Sequence, residues 1–246
     1  MKLGIATPNH VSGDAIQYAC IPENFFRTTG EKLIDFSNSF VFDHNPFVLR
    51  GEKPDKVINL WTHHFPHSDK DSNRYLSKSE RWCGGLGIKM FLRHPRLYIH
   101  EDIKKLEKEK RLLTVHCSGK SRGHLSDKIV DHIHQKYENW DIVQVGGSHD
   151  RSTPFIDLRG ASFWEGARII ASSDTFIGID SAMYHVSRCY PNVRRKVIIQ
   201  DNHFNKEQLR NFRPFTEGFD DWIDFDTEYF NEFDYDIGIT NALYKI

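Results

Sequence analysis

Apolar runs and amphipathic stretches alternate most regularly in the second half of the chain. Residues 112–115 (LLTV) form an apolar run that ends in the polar, glycine-containing sequence HCSGKSRGH, a pattern that predicts a buried strand followed by a loop. Ser126 is a suitable cap for a helix whose apolar residues between 129 and 137 recur at helical spacing. Residues 141–145 predict the next strand, which two glycines close.

A second strand and helix series follows in the same half. Ser162 and Glu165 have the S-x-x-E spacing of a capping box, which predicts the start of a helix there. A strand is predicted at 175–179, a third helix near Ser181, and a short apolar strand at 196–199. Strict alternation of strands and helices predicts a parallel sheet with helices on both faces.

The first half repeats this alternation less regularly. It predicts a strand at 3–6, a helical segment at 14–27, and short strands near 32–42, 56–61 and 96–100. Pro22 should shorten or kink the helical segment, and the polar span 63–81 is expected to form a long loop. We predict an N-terminal α/β domain at 1–105 and a C-terminal one at 106–246. A charged helix at 101–110 would join them, and the acidic, aromatic tail 217–236 would pack back across the first domain.

Composition narrows the class of protein. The 246 residues are 39% hydrophobic and 27% charged, as in ordinary globular proteins that bury a core. Lys and Arg number 33 against 34 Asp and Glu, so no global basic field favours nucleic acid as a partner. No apolar run approaches the roughly 20 residues of a membrane span, and the four cysteines lie far apart. We expect a cytoplasmic protein with reduced thiols and no transmembrane segment.

The loop after the strand at 112–115 is a candidate anion site. Gly119-Lys120-Ser121 is not a P-loop, because the first glycine of that motif would fall at Thr114, inside the strand. Ser118, Gly119, Lys120 and Arg122 nevertheless follow the carboxyl end of a strand, where α/β sheets bind ligands. Backbone amides and two cations suit a diphosphate. The alternative is that both cations are merely solvated.

Asp180, Ser181 and His185 lie at a predicted junction between a strand and a helix. A helix N-terminus there would favour an anionic ligand. A serine hydrolase is disfavoured, because the G-x-S-x-G elbow is missing and the three side chains come from one continuous turn. Asp180 and Ser181 could also be simple helix caps.

Two other motifs give little evidence of a binding site. His63, His64 and His67 invite a metal site, but Pro66 forbids a regular helix through them and no carboxylate has ligand spacing. The glycines at 84–87 lack the G-x-G-x-x-G spacing of dinucleotide-binding proteins. Neither a metal site nor a dinucleotide site is predicted.

Several segments together resemble a known family. TVHCSG at 114–119, VGG at 145–147 and the run DLRGASFWEGARIIASSDTFIGIDSAMYH at 157–185 resemble the donor loop and the signature of family nine glycosyltransferases, the heptosyltransferase-like enzymes. Asp14, in SGDAI after the first strand, matches their Gly-Asp pair. The resemblance implies the GT-B architecture, in which two Rossmann-like domains face each other across a cleft, with the N-terminal domain shortened here.

The resemblance also implies the site and the reaction. Asp14 would be the catalytic base, and Ser118, Gly119, Lys120, Arg122, Gly147, Asp180, Ser181 and His185 would bind the donor. The expected reaction moves a sugar, with inversion, from a nucleotide-diphosphate sugar to an acceptor hydroxyl, without metal or other cofactor. The acceptor, a glycan or glycolipid among other options, stays open. A nucleotide-sugar epimerase and a non-catalytic binding protein of the same fold are the alternatives.

Overall fold

The computed structural model describes residues 1–7, 12–60, 68–69, 74–75, 78–92, 94–99, 109–119, 123–179, 181–200 and 227–231. The first 100 residues form one compact unit, and the later described residues belong to a second. The predicted boundary near residue 105 and most of the predicted joining helix lie outside the described residues, so both stay predictions.

The first unit contains a small parallel sheet. Its elements are β1 (Leu3–Ala6), α1 (Ser12–Gln17), α2 (Ile21–Thr29), β2 (Leu33–Asp35), a 3₁₀ turn (Phe40–Phe42), β3 (Val48–Leu49), β4 (Lys56–Asn59), the short pair β5 (Ser68–Asp69) and β6 (Arg74–Tyr75), and α3 (Lys78–Gly85). The sheet has the order β3-β2-β1-β4, and all its pairings are parallel. Ile5, Leu33, Ile58 and Trp82 join the strands and α3 in one buried core.

The structure corrects several predictions for the first unit. The single helical segment is two helices, and Pro22 lies in the first turn of α2, where its missing N–H would have had no partner within the helix. Within the span 32–42 only residues 33–35 form a strand, while β4 confirms the strand near 56–61. The predicted loop 63–81 contains β5, β6 and the start of α3.

No strand forms among the described residues 94–99, where one was predicted. The chain before it is held by a side chain rather than by a sheet. Asn24 of α2 is fully buried; its Oδ1 accepts hydrogen bonds from the backbone N–H groups of Phe91 (2.9 Å) and Leu92 (2.8 Å), and its Nδ2 donates to the Leu92 carbonyl at 2.9 Å. The backbone groups of Phe91 and Leu92 are therefore satisfied by a side chain of α2.

The second unit contains a larger parallel sheet. Its elements are β7 (Leu112–His116), β8 (Ser118–Gly119), β9 (Gly123–His124), α4 (Asp127–Lys136), β10 (Asp141–Gly146), β11 (Ile156–Arg159), α5 (Phe163–Ser172), β12 (Thr175–Gly178), α6 (Ala182–Arg188), β13 (Arg195–Gln200) and β14 (Thr227–Asn231). The six-stranded sheet has the order β11-β10-β7-β12-β13-β14 with parallel pairings, and β8 pairs with β9 as a small antiparallel hairpin.

Most predictions for this unit are confirmed. Strands β7, β10, β12 and β13 and helices α4, α5 and α6 lie where the pattern put them. Ser126 occupies the N-cap position of α4, and Ser162 and Glu165 form both hydrogen bonds of the predicted capping box. The hairpin inside the predicted loop and the edge strands β11 and β14 were not predicted. β14 lies within the tail expected to pack across the first domain, and the rest of that tail lies outside the described residues.

The core of the second unit is continuous across the sheet. Leu113 and Val115 of β7, Ile177 of β12 and Val197 of β13 are buried together with residues of α4. All four cysteines are free thiols, as predicted, and all four are buried. None of the described helices has the length and apolar character needed to cross a membrane.

Candidate functional site

The strand order of the second sheet indicates a ligand site at the carboxyl ends of its central strands. Numbered along this unit, the strands have the order 3-2-1-4-5-6, the order of dinucleotide-binding Rossmann folds. The order reverses between β7 and β12, and ligands bind such sheets beyond the carboxyl ends of the strands at that reversal. His116 ends β7, Gly146 ends β10, and Ser181 follows β12. Three elements thus bring polar groups to the position where this fold binds ligands.

His116 is the centre of this cluster. Its side chain is only 8% exposed. Its Nδ1 lies 2.8 Å from the Ser181 hydroxyl, and its Nε2 lies 3.3 Å from Oδ2 of Asp150. Sequence reasoning missed both His116 and Asp150. A polar residue at the end of an otherwise apolar strand was the available signal for His116.

Asp150 is held by a tight turn after β10. Its Oδ2 accepts a hydrogen bond from the backbone N–H of Gly147 at 2.8 Å, and its own N–H donates to the Gly147 carbonyl at 3.0 Å. Gly146 has φ +140°, and a Cβ there would overlap Asp150 Oδ2 and lie 2.8 Å from Cδ2 of His116. Only glycine therefore allows the turn and the His116 ring to approach this closely.

Arg159 of β11 supports the same turn from the sheet edge. Its Nη1 donates to the carbonyl of Asp150, and its Nε and Nη2 donate to the carboxylate of Asp157 at 2.8 and 2.7 Å. Hydrogen bonds from Arg159 lower the pKa of Asp157 to about 2. The backbone of Asp150 is thus fixed by a guanidinium that is itself fixed by a carboxylate.

Ser118, a predicted donor-binding residue, joins the loop after β7 to the loop after β10. Its hydroxyl accepts a hydrogen bond from the Arg151 N–H at 3.1 Å, and the Arg151 side chain donates to the Leu125 carbonyl at 2.8 Å. Gly119 pairs with Gly123 in the small hairpin. Lys120 and Arg122 lie outside the described residues, so their roles remain predictions.

The structure describes two of the three predicted site residues that follow β12. Ser181 is the N-cap of α6, as the alternative interpretation held, and its hydroxyl accepts from the Tyr184 N–H at 3.5 Å. The same hydroxyl contacts His116, so capping does not exclude a role at the site. His185 is only 3% exposed, beside the Tyr184 ring. Asp180 lies outside the described residues.

The first unit has its own polar cluster beyond β1 and β2. The backbone of Asp14 lies in α1, the helix that follows β1, but its side chain is outside the description. Asp35 ends β2; its Oδ1 accepts from the Ser37 hydroxyl at 2.9 Å, and its Oδ2 lies 3.2 Å from the Arg50 guanidinium. Burial raises the pKa of Asp35 although Ser37 and Arg50 oppose the shift. The carboxyl end of β2 therefore carries a buried, hydrogen-bonded carboxylate.

Within the described part of the chain, no three His, Cys, Asp or Glu side chains lie close enough to one another to hold a metal ion. The histidines at 63, 64 and 67, which the sequence singled out, lie outside the described residues.

The strand order and the parallel pairings define the second unit as a Rossmann-like α/β unit. No family model and no curated protein sequence matches the chain. Solved structures do: a family 9 glycosyl transferase from Veillonella parvula has a TM-score of 0.70 at 13% identity, with 100% of this chain and 90% of that chain covered. The E. coli heptosyltransferase WaaC, solved with ADP-2-deoxy-2-fluoro heptose, has a TM-score of 0.61 at 9% identity over 92% of each chain.

A third similar structure is the iron-containing dodecameric glycosyltransferase TibC from E. coli. Its TM-score is 0.58 at 12% identity, and the match covers 80% of this chain and 59% of that one. These likenesses confirm the α/β class and, as a statement about fold, the resemblance to heptosyltransferase-like enzymes.

Proposed function

We propose that this protein is an inverting glycosyltransferase that moves a sugar from a nucleotide-diphosphate sugar to an acceptor hydroxyl. In this proposal, the two α/β units face each other across a cleft, with the donor on the second unit and the acceptor on the first. The observation that carries it is the cluster of His116, Ser181 and Asp150 at the reversal of strand order in the second sheet. The similar fold of glycosyltransferases supports the choice of reaction.

An adenosine diphosphate sugar is the first donor to test. The similar structure of WaaC was solved with an ADP-heptose analogue. The Ser118 hydroxyl accepts a hydrogen bond from the Arg151 N–H and keeps its own hydrogen, which it can donate to a phosphate oxygen. Lys120 and Arg122 would supply positive charge to the leaving diphosphate as its negative charge develops.

Asp14 is proposed as the catalytic base. Inverting transfer in one step needs a group that removes the proton of the acceptor hydroxyl while its oxygen attacks the anomeric carbon. A carboxylate in the helix after β1 would stand at the ligand-binding edge of the first sheet. Donor and base on different units would require closure of the cleft before reaction.

We propose that the reaction needs no metal, because Lys120, Arg122 and backbone N–H groups can stabilise the leaving group. The iron-containing TibC shows that a protein of similar fold can contain a metal. Turnover in the presence of EDTA, compared with turnover after addition of Mg²⁺ or Fe²⁺, distinguishes these cases. Activity that disappears with EDTA and returns with one metal would overturn this part of the proposal.

The donor test is binding by calorimetry to ADP, GDP, UDP and CDP. Binding of at least one is expected, and Asp180→Ala should weaken it. Asp131→Ala, at an exposed position of α4, removes the same charge from the same unit and should leave binding unchanged. Failure of all four nucleotides to bind would overturn the proposed function.

The base test compares turnover of Asp14→Asn and Glu31→Gln. Both replace a carboxylate of the first unit with an amide, but Glu31 is exposed after α2. Asp14→Asn should bind donor normally and lose transfer by about 100-fold or more, while Glu31→Gln keeps it. Equal turnover of Asp14→Asn and wild type would remove Asp14 from the mechanism. Release of an altered free sugar without acceptor would indicate the epimerase instead, and donor binding without any turnover would indicate a binding protein.

A further inference from the structure

Asp150, His116 and Ser181 form a linear array across three elements of the second unit. His116 Nε2 faces the Asp150 carboxylate at 3.3 Å, and Nδ1 faces the Ser181 hydroxyl at 2.8 Å. Gly146 makes the close approach possible, and Arg159 holds the backbone of Asp150. Each nitrogen of the ring therefore faces a polar group.

Asp150 determines which nitrogen of neutral His116 carries the hydrogen. A carboxylate accepts hydrogen bonds only, so the nitrogen that faces it carries the hydrogen. In neutral His116, Nδ1 is then an acceptor, and the Ser181 hydroxyl must donate to it. The Ser181 oxygen also accepts from the Tyr184 N–H. Neutral His116 thus directs the one hydrogen of Ser181 away from any ligand.

A bound diphosphate would need a hydrogen bond from the Ser181 hydroxyl. Phosphate oxygens accept hydrogen bonds, so a serine beside them stabilises them by donating. When Ser181 donates to a phosphate, Nδ1 of the buried His116 loses its hydrogen-bond donor. A proton on Nδ1 removes this cost, because that nitrogen then donates to the Ser181 oxygen. Doubly protonated His116 would then donate to both Ser181 and Asp150, and its charge would be balanced by the carboxylate.

We propose that His116 is a positioning residue that takes up a proton when a nucleoside diphosphate binds, and thereby turns the Ser181 hydroxyl toward a phosphate oxygen. This inference rests on the proposed function, because it assumes that the diphosphate binds at the reversal of strand order. His116 acts through Ser181 and not by touching the reacting atoms.

The charged and titratable groups around the ring come from several elements. Asp150 faces Nε2, while Arg151, from the same loop, pairs with Asp127. Arg159 of β11 binds the carbonyl of Asp150, and buried His185 lies on α6, one turn beyond Ser181. β12 contributes Gly178, which has no side chain. Lys120, Arg122 and Asp180 are outside the described residues. All these groups remain in the variants below, so a difference between variants reports on residue 116.

Two substitutions separate the two nitrogens of His116. The side-chain oxygen of asparagine replaces Nδ1 as an acceptor, so His116→Asn keeps Ser181 turned away from the ligand. The amide of glutamine reaches the position of Nε2, so His116→Gln keeps a donor toward Asp150 and releases Ser181. Neither variant can take up a proton at residue 116.

The experiment measures the affinity of ADP for wild type, His116→Asn and His116→Gln between about pH 8 and about pH 6, across the range in which histidines titrate. Titration of ADP itself is common to all three proteins. Relative to His116→Asn, wild-type affinity should rise as the pH falls, by at most about tenfold per pH unit for one linked proton. His116→Gln should bind more tightly than His116→Asn by a ratio that does not change with pH.

Calorimetry in two buffers of different ionisation enthalpy gives the number of protons taken up. Wild type should take up more protons per ADP than His116→Asn. Ser181→Ala, which keeps the contact between His116 and Asp150, should lose the extra uptake, and it serves as the test if the variants at residue 116 fail to fold in circular dichroism. Equal uptake by wild type and Ser181→Ala, or the same pH dependence in wild type and His116→Asn, would overturn the inference alone. Absence of nucleotide binding to wild type would overturn the proposed function and this inference with it.

Discussion

Substitution of Gly146 by alanine tests the geometry on which the site depends. Gly146 ends β10 with φ +140°, and a Cβ there would meet the Asp150 carboxylate and lie 2.8 Å from His116 Cδ2 and 3.0 Å from Nε2. To accept a methyl group, the Asp150 carboxylate must rotate away and the imidazole must shift. The array from Asp150 to Ser181 would then be broken at its centre.

The expected cost has two parts. Backbone at this φ costs a residue other than glycine about 1–3 kcal/mol. Rotation of Asp150 also loses the hydrogen bond from the Gly147 N–H, which is 2.8 Å long and exposed to solvent; such a bond contributes about 1 kcal/mol. Gly146→Ala should therefore lower the free energy of unfolding of the second unit by about 2–4 kcal/mol.

Urea unfolding followed by circular dichroism measures this cost, and two other glycines serve as controls. Gly51 has φ +75° with no atom within 4 Å of a Cβ, so Gly51→Ala reports backbone strain alone, about 1 kcal/mol. Gly84 lies in α3 with open space around it and without positive φ, so its alanine variant should be neutral or slightly stabilising.

The same three variants are then titrated with ADP. Only Gly146→Ala should weaken binding, because only this substitution displaces His116 and Asp150. A Gly146→Ala protein as stable as Gly84→Ala would refute the reasoning about the turn. If it were destabilised and yet bound ADP like wild type, the turn would be structural and the site would lie elsewhere.

Three further predictions concern stability and reactivity. Asn24→Ala should lower the unfolding free energy in urea by about 2–4 kcal/mol, because it removes the three part-buried hydrogen bonds of a fully buried side chain, whereas Asn139→Ala, at an exposed position, should have almost no effect; similar values for both would contradict the role of Asn24. Burial raises the pKa of the Cys117 thiol to about 12, so Cys117 should resist thiol reagents at about pH 8 and react only in urea, as peptide mapping would show. Burial raises the pKa of Asp35, so its contribution to stability is complete below the unfolded pKa and is lost as pH rises through the folded pKa. The unfolding free energy of Asp35→Asn, relative to wild type, should therefore increase as pH rises through the acid range, and a difference that does not change with pH would contradict this.

The fold of the second unit could be predicted because its central strands are covered on both faces. The buried residues of β7, β10, β12 and β13 are therefore mostly apolar, with buried Thr114, Gln144 and Lys196 among the exceptions. β11 lies at the sheet edge with Ile156 54% exposed, and its alternation of apolar and charged residues gave no clear signal. The strands of the first sheet have two to four residues each, which is too short for a period to be recognised.

The sequence could predict a site residue only where its position at the end of one strand was enough to place it at the site. Ser118, Gly147 and Ser181 lie at strand ends, as the pattern indicated, and their roles in binding remain predictions. The contact between His116 and Ser181 joins residues 65 apart in the chain. It depends on β7 and β12 being neighbours, and the order of strands in a sheet is not contained in the periodicity of any one segment.

The last strand of the second sheet has a consequence for synthesis of the protein. β14 pairs along β13 from Lys196 to Gln200, so a nascent chain that has emerged only to residue 200 leaves this edge open. Val197 and Ile199 would then lie beside unpaired backbone groups, a combination that promotes association between chains. Ribosome stalling or proteolytic cleavage between β13 and β14 should therefore yield fragments that aggregate, although five of the six strands are already complete.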